Sequence, residues 1–269
     1  MPQATLDTIL AATERRVTAL RPRRSELERR AARAPAPRSF AGVLSGATVG
    51  VIAEVKRRSP SAGAIAPELD PVRHAAAYAA GGAVAISVLT DEAHFGGSLE
   101  DLERVVAAVS VPVLRKDFIL DELQLLEARA SGASAVLLIV RALSASRLGE
   151  LSRTAHGLGL GTLVEAHTAG ELAVALGAEP TAVGINSRDL STFTIDLEAA
   201  ERLVASAPPG VVIVAESGIE RRQDVERVAA AGAELVLVGA AVARSADPAA
   251  AVRALTGVPR VGRGGRKPT

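Results

Sequence analysis

The sequence predicts an α/β fold, a (β/α)8 TIM barrel preceded by an extra N-terminal helical segment, and three observations carry that prediction. From Val49 onward, short apolar runs alternate with amphipathic stretches, the layout of βα units around a parallel sheet. The runs number eight: "VGVIAEV", "AVAISVL", "VPVLRK", "AVLLIV", "GTLVEA", "AVGIN", "VVIVAES" and "LVLVGA". They are continuously apolar, as expected of strands covered on both faces. Residues 46–256 also give eight units a length suited to a closed barrel. An open doubly wound sheet is the competing architecture, and it needs a glycine-rich turn leading from a strand into a helix. The match "GLGLG", Gly157 to Gly161, leads from a helix into a strand and so has the wrong order.

Taken in chain order, residues 3–32 read as one charged, alanine-rich helix, and "APAPRSF" as an extended linker, so residues 1–45 form an N-terminal helical extension able to cap one end of the barrel. Within residues 46–256, the catalytic barrel, Leu99, Leu102, Val105, Val106 and Val109 recur at helical spacing, as do Leu123, Leu126 and Ala130. Helix starts are signalled by Asp70 before Pro71, Asp247 before Pro248, and a capping box in "TAGE", Thr168 to Glu171. Residues 257–269 lack apolar periodicity and read as a disordered basic tail.

Composition removes several classes of function. The net charge of +1 gives no overall field to recruit nucleic acid. The basic stretches Arg15 to Arg38 and Arg260 to Lys267 lack the stacking aromatics that single strands require and read as solvated surface. The chain has no cysteine, which excludes disulfides, thiolate nucleophiles and thiolate-bound metal. No apolar run approaches the roughly 18 residues of a membrane span, and the N-terminus lacks a signal layout, so cytoplasmic residence is expected. Nothing sets an oligomeric state.

In a parallel barrel the carboxyl ends of all strands meet at one mouth. Those ends carry Glu54 and Lys56, Ser87, Lys116, Glu165, Asn186, Glu216 and Ser217, and Gly239. Lysine is the notable choice: only Lys56, Lys116 and Lys267 among 31 basic residues are lysine, and two of these end apolar strands. A lysine is a compact charge whose proton affinity responds to its surroundings, whereas arginine stays charged. Lysines and acids brought to one pocket can be held apart in proton affinity. The turns "AESGI" and "LVGAA" follow the seventh and eighth strands, where barrels commonly hold a phosphate, and Ser59 and Ser61 in "RRSPSAG" could contribute from the first loop. A phosphorylated small molecule is therefore the expected ligand.

The segments "IAEVKRRSPSAG", "AISVLTDEAHFGGSL", "PVLRKDFI", "LLIVRAL", "LVEAH", "GINSRDL", "VAESGI" and "LVGAAVAR", in order, resemble indole-3-glycerol phosphate synthase. The resemblance implies a (β/α)8 lyase with a helical extension over the mouth and with neither metal nor organic cofactor. The implied reaction is decarboxylating ring closure of 1-(2-carboxyphenylamino)-1-deoxyribulose 5-phosphate, within tryptophan biosynthesis. Lys116 then matches the general acid at the ketone, Glu165 the general base, and Lys56 the partner of the substrate carboxylate. Glu54 and Asn186 match groups that orient the substrate, while Glu216 and Arg188 match supporting neighbours. Ser59, Ser217, Gly218, Gly239 and Ala240 match phosphate contacts, and Phe118 and Leu137 the walls around the ring. Two departures stand out. Ala240 can offer only its backbone N–H, and "ALGAEPTAVGIN" lacks the second glycine common before the sixth strand.

Phosphoribosylanthranilate isomerase, an aldolase using Lys116 as a Schiff base, and a non-catalytic binding barrel are the rival assignments. The first would need a cysteine or equivalent base at the first strand, where this chain has Glu54 and Lys56. His74, His94, His156 and His167 match no zinc spacing, and His167 reads as a loop residue near the mouth.

Overall fold

The structure is a computed structural model that describes residues 5–189 and 194–263. Strands β1 (Gly50–Val55), β2 (Ala85–Leu89), β3 (Val113–Lys116), β4 (Ala135–Ile139), β5 (Gly161–Ala166), β6 (Ala182–Asn186), β7 (Ile213–Glu216) and β8 (Leu235–Val238) form a closed parallel barrel in which each strand pairs with the next. Closure is set by Gly50 opposite Leu235 on one side of β1 and Ile52 opposite Ala85 on the other. A helix follows every strand, as the alternation predicts: Pro71–Ala80, Leu99–Ala108, Glu122–Ala130, Ala145–Gly157, Ala169–Gly177, Leu197–Ser206, Arg222–Ala231 and Pro248–Leu255. Asp70 and Asp247 cap their helices by accepting the N–H groups of Arg73 and Ala250. At "TAGE", Thr168 caps the Glu171 N–H, but the Glu171 carboxylate turns to the His167 N–H at 2.8 Å instead of closing the box.

Side chains of a strand alternate between its faces, and that parity divides the core. Val51, Ala53, Ile86, Val88, Val136 and Leu138 point outward and pack beneath the helices. Ile52, Leu114, Leu137, Leu163, Val214 and Leu235 fill the barrel interior. Glu54, Lys116, Glu165, Asn186 and Glu216 share the inward parity with those apolar residues, so the polar side chains crown the mouth as the apolar ones fill the layers below.

The N-terminal extension is two helices, not the single one expected. α1 (Leu6–Leu20) and α2 (Arg24–Arg33) are separated by a 3-10 turn at Arg21–Arg23, because Pro22 has no N–H to continue the helical ladder. Leu27 of α2 packs with Leu123, and Arg129 donates to the Ala34 and Pro35 carbonyls. The linker then passes the amino-terminal end of the barrel, where the buried Phe40 rests on Gly161, the first residue of β5. A Cβ at Gly161 would lie 3.0 Å from the Phe40 side chain.

The expected disordered tail needs correction over residues 257–263. Val258 is buried, Pro259 bridges to Thr48, and Arg260 donates to the carbonyls of Leu44 and Thr48 at 2.7 and 2.9 Å. Arg263 inserts against Gly232, donating to the carbonyls of Gly232 and Val211 and pairing with Glu234 at 3.0 Å. Backbone carbonyls left at the strand starts are what these arginines satisfy, a demand that side-chain periodicity does not report. Residues 264–269, including Lys267, lie outside the described residues. In the loop lacking its second glycine, Glu179 takes φ +50°, a left-handed conformation costly for a residue with a Cβ. Among the described residues no helix is long and apolar enough to cross a membrane.

Candidate active site

Two ammonium groups and three carboxylates meet at the mouth. Lys56 Nζ lies 2.6 Å from Glu54 Oε1, and Lys116 Nζ lies 2.5 Å from Glu216 Oε2, 3.8 Å from Glu165 Oε2 and 3.9 Å from Glu54 Oε2. Asn186 Nδ2 donates to Glu165 Oε1 at 3.1 Å, and Ser87 Oγ donates to Glu54 Oε2 at 3.5 Å. Residues scattered over more than 160 positions of sequence thus share one cavity. Two glycines make the room. A Cβ on Gly184 would lie 2.1 Å from Glu216 Oε1, and one on Gly239 would lie 2.6 Å from Glu54 Oε1 and 2.9 Å from Lys56 Nζ.

Burial and charge separate the proton affinities of the cluster. Burial works to lower the affinity of Lys116, but Glu216, Glu54 and Glu165 outweigh it and raise the ammonium above its ordinary range. Burial would raise Glu54, yet Lys56 and Lys116, with hydrogen bonds from Lys56 and Ser87, hold it below the usual carboxylate range. Glu216 goes the other way. Burial pushes it up to about 7, and repulsion from Glu165 and Glu54 adds to the push although Lys116 pulls it down. With three acids against two ammonium groups, the cluster has one negative charge in excess, and the least hydrated acid is where a proton relieves it. Among the described residues Glu216 Oε1 is buried without a hydrogen-bond partner, so that oxygen can take the proton without displacing Lys116.

The remaining sequence-predicted residues line the same cavity. Phe118 and Leu137 form apolar walls with Phe95, whose ring centroid is 6.3 Å from that of Phe118. Ser59, Ser217, Gly218, Gly239 and Ala240 gather in the segments that follow β1, β7 and β8, Ser59 in a short strand and Ala240 at the start of a short helix. Ser217 holds φ +64°, a conformation with a steric cost that local strain at a binding loop can justify, and Gly218 follows at +71°. The Arg188 N–H donates to Asn186 Oδ1 at 3.0 Å, and burial lowers the proton affinity of its guanidinium.

Sequence reasoning missed three supports. Arg115, adjacent to Lys116 but of outward parity, is fully buried, donating to Asp117 at 3.0 Å, Glu127 at 2.8 Å, Thr90 at 3.1 Å and the Gln124 carbonyl at 2.9 Å. Asp117 also accepts from Arg16 of α1 at 2.7 Å and from the Phe118 N–H at 2.8 Å, so one arginine of the stretch read as solvated instead fastens the extension to the mouth. Burial would raise the Asp117 carboxyl, but Arg115 and Arg16 outweigh it and hold it low. The signal was present in "VLRK": a cation on the covered face of a strand must be paired. In the first loop, Arg57 pairs with Asp101 and donates to the Gly96 carbonyl at 2.9 Å, and Arg58 donates to the carbonyls of Glu92 and Ala93. These bonds tie the segment between Lys56 and Ser59 to the loop after β2. The third support is His167, whose Nδ1 lies 2.7 Å from the Asn186 carbonyl oxygen.

A family model described as indole-3-glycerol phosphate synthase matches residues 6–255. Among similar proteins, the indole-3-glycerol phosphate synthase of Dehalococcoides mccartyi is 49% identical over 222 residues, covering 81% of this chain and 86% of the relative. That of Mycobacterium avium is 48% identical over 228 residues, covering 85% and 84%. Among solved structures, a thiamine phosphate pyrophosphorylase from Pyrococcus furiosus superposes with a TM-score of 0.59 at 18% identity over 77% of this chain and 93% of that one, a likeness of fold alone.

Proposed function

The chain belongs to the indole-3-glycerol phosphate synthase family, and on that premise we propose that it closes the indole ring of 1-(2-carboxyphenylamino)-1-deoxyribulose 5-phosphate with loss of carbon dioxide and water, as a carboxy-lyase. Lys116 is the acid. As the carboxyl-bearing ring carbon attacks the ketone, the new carbon–carbon bond pushes an electron pair onto the carbonyl oxygen, and the Lys116 ammonium gives it a proton. The substrate carboxylate pairs with Lys56 and leaves as carbon dioxide, which restores the aromatic ring. The hydroxyl then departs as water with a proton from Lys56, and Glu165 takes the proton that must be lost with it.

The roles of the supporting groups come from their contacts. Asn186 fixes one oxygen of Glu165 and leaves the other directed toward Lys116. Glu54 and Glu216 pair with the two lysines and hold them at the mouth. Phe118 and Leu137 sandwich the phenyl ring, and Ser59, Ser217, Gly218, Gly239 and the Ala240 N–H receive the phosphate. The single observation that carries this proposal is the Lys116 ammonium placed among Glu54, Glu165 and Glu216. Its test is incubation of the purified protein with the carboxyphenylamino sugar phosphate while indole fluorescence is followed, with borohydride added in parallel. Fluorescence growth without a trapped covalent adduct is expected. A borohydride-stable adduct at Lys116, or no indole, would overturn the proposal.

A further inference from the structure

Outside the cavity, between the ends of β4, β5 and β6, four residues close a ring, through three side-chain contacts and one backbone N–H, that the chemistry above does not use. Arg141, after β4, reaches Glu171 with Nε at 3.1 Å and Asp189 with Nη1 at 3.1 Å. Glu171 accepts the backbone N–H of His167 at 2.8 Å, which is why the capping box is left half made. The His167 ring completes the circuit: Nε2 lies 3.4 Å from Asp189 Oδ2, and Nδ1 lies 2.7 Å from the Asn186 carbonyl oxygen. A carbonyl oxygen only accepts, so Nδ1 carries a hydrogen. The chain of contacts then runs inward. The backbone of Asn186 is held by His167, while its amide side chain holds Glu165 and its Oδ1 accepts the N–H of Arg188.

We propose that His167 is a positioning residue: through its Nδ1–H bond to the Asn186 carbonyl it sets the end of β6, and thereby the orientation of the Asn186 amide against Glu165. This inference rests on the ring-closing activity proposed above and assigns to it a residue outside the cavity. The Nε2 side has a separate duty. It faces Asp189, a carboxylate that can only accept, so in the form of the ring that carries a hydrogen on both nitrogens it holds Asp189 beside Arg141 at the start of the loop after β6. The two ring nitrogens thus serve different parts of the site. Nδ1 bears on the chemical step through Glu165, and Nε2 on substrate binding through the loop.

Two near-isosteric substitutions separate these duties, because an asparagine amide reaches the place of Nδ1 and a glutamine amide the place of Nε2. His167→Asn, His167→Gln and His167→Ala are purified and assayed by indole fluorescence beside the wild-type protein. His167→Asn is expected to keep kcat within about threefold of wild type with a raised KM, whereas His167→Gln loses about tenfold in kcat with KM nearly unchanged. His167→Ala shows both defects. Equal kcat in the Asn and Gln variants, or a wild-type kcat in the Ala variant, would overturn the inference. Should the Ala variant fail to fold, the Asn and Gln pair still decides it. Absence of indole formation by the wild-type protein would instead count against the proposed activity and is told apart by that control.

Discussion

Lys116→Met removes the ammonium on which the cluster balances, and the structure sets the size of the effect. At an effective dielectric of about 20, the contact at 2.5 Å is worth about 7 kcal/mol and those at 3.8 and 3.9 Å about 4 kcal/mol each, before the opposing cost of desolvation. Breaking such a buried arrangement from one side costs about 3–5 kcal/mol net. The variant can recover part of this loss by taking up a proton, and Glu216, already pushed up to about 7, is the site for it. Without Lys116 its affinity rises further. The folded variant then holds a proton that the unfolded chain has released, so its stability falls as pH rises across that range. Urea denaturation of wild type and variant at about pH 5.5 and about pH 8 is the assay. The stability gap is expected to widen at the higher pH by about 1 kcal/mol, and turnover to fall by about 100-fold or more. A gap that is the same at both pH values and below about 1 kcal/mol would refute the balance of charges described for the mouth.

Glu165→Gln keeps the shape of the pocket and the reach to Asn186 but cannot accept a proton, so turnover should fall by about 100-fold or more with the urea midpoint little changed; a wild-type rate would remove Glu165 from the role of base. Lys56→Arg keeps the charge but sets a planar fork where 2.6 Å separates Nζ from Glu54, and kcat/KM should drop by about tenfold or more in steady-state assays. Gly184→Ala drives a methyl into Glu216 Oε1 and should cost about 2 kcal/mol of stability by denaturation together with most of the activity. Glu179→Gly relieves a left-handed residue in an exposed loop and should stabilise the protein by about 0.5 kcal/mol, read as a higher melting temperature with unchanged kcat.

The barrel was legible because its signals are local and repeated: apolar runs, amphipathic spacing and caps such as Asp70 and Asp247 each speak for their own element. The mouth was legible for a different reason. Parallel strands deliver their carboxyl ends to one place, so the last residues of the apolar runs bring together Glu54, Lys116, Glu165, Asn186 and Glu216 without any knowledge of distances. The features that stayed hidden depend on contacts between remote segments. Arg16 looks like ordinary surface charge until Asp117 is seen beside it, 101 residues along the chain, and Arg115, whose place on the covered face of a strand called for a partner, gave no sign of which residues supply it. Arg260 and Arg263 sit in a stretch without periodicity and are fixed by backbone carbonyls of other segments. His167 carried no motif because its partners are a carbonyl at the end of the next strand and a carboxylate in the loop beyond. Pro22 was a readable break, passed over because the charged, alanine-rich composition continues on both sides of it.

Substrate labelled with carbon-13 in the ring carboxylate offers the most direct measurement. If Lys116, Lys56 and Glu165 act together as described, the wild-type protein releases one labelled carbon dioxide for each indole formed, and the phosphate stays on the product. Label retained in a turned-over product, or carbon dioxide released without indole, would contradict the account at its centre.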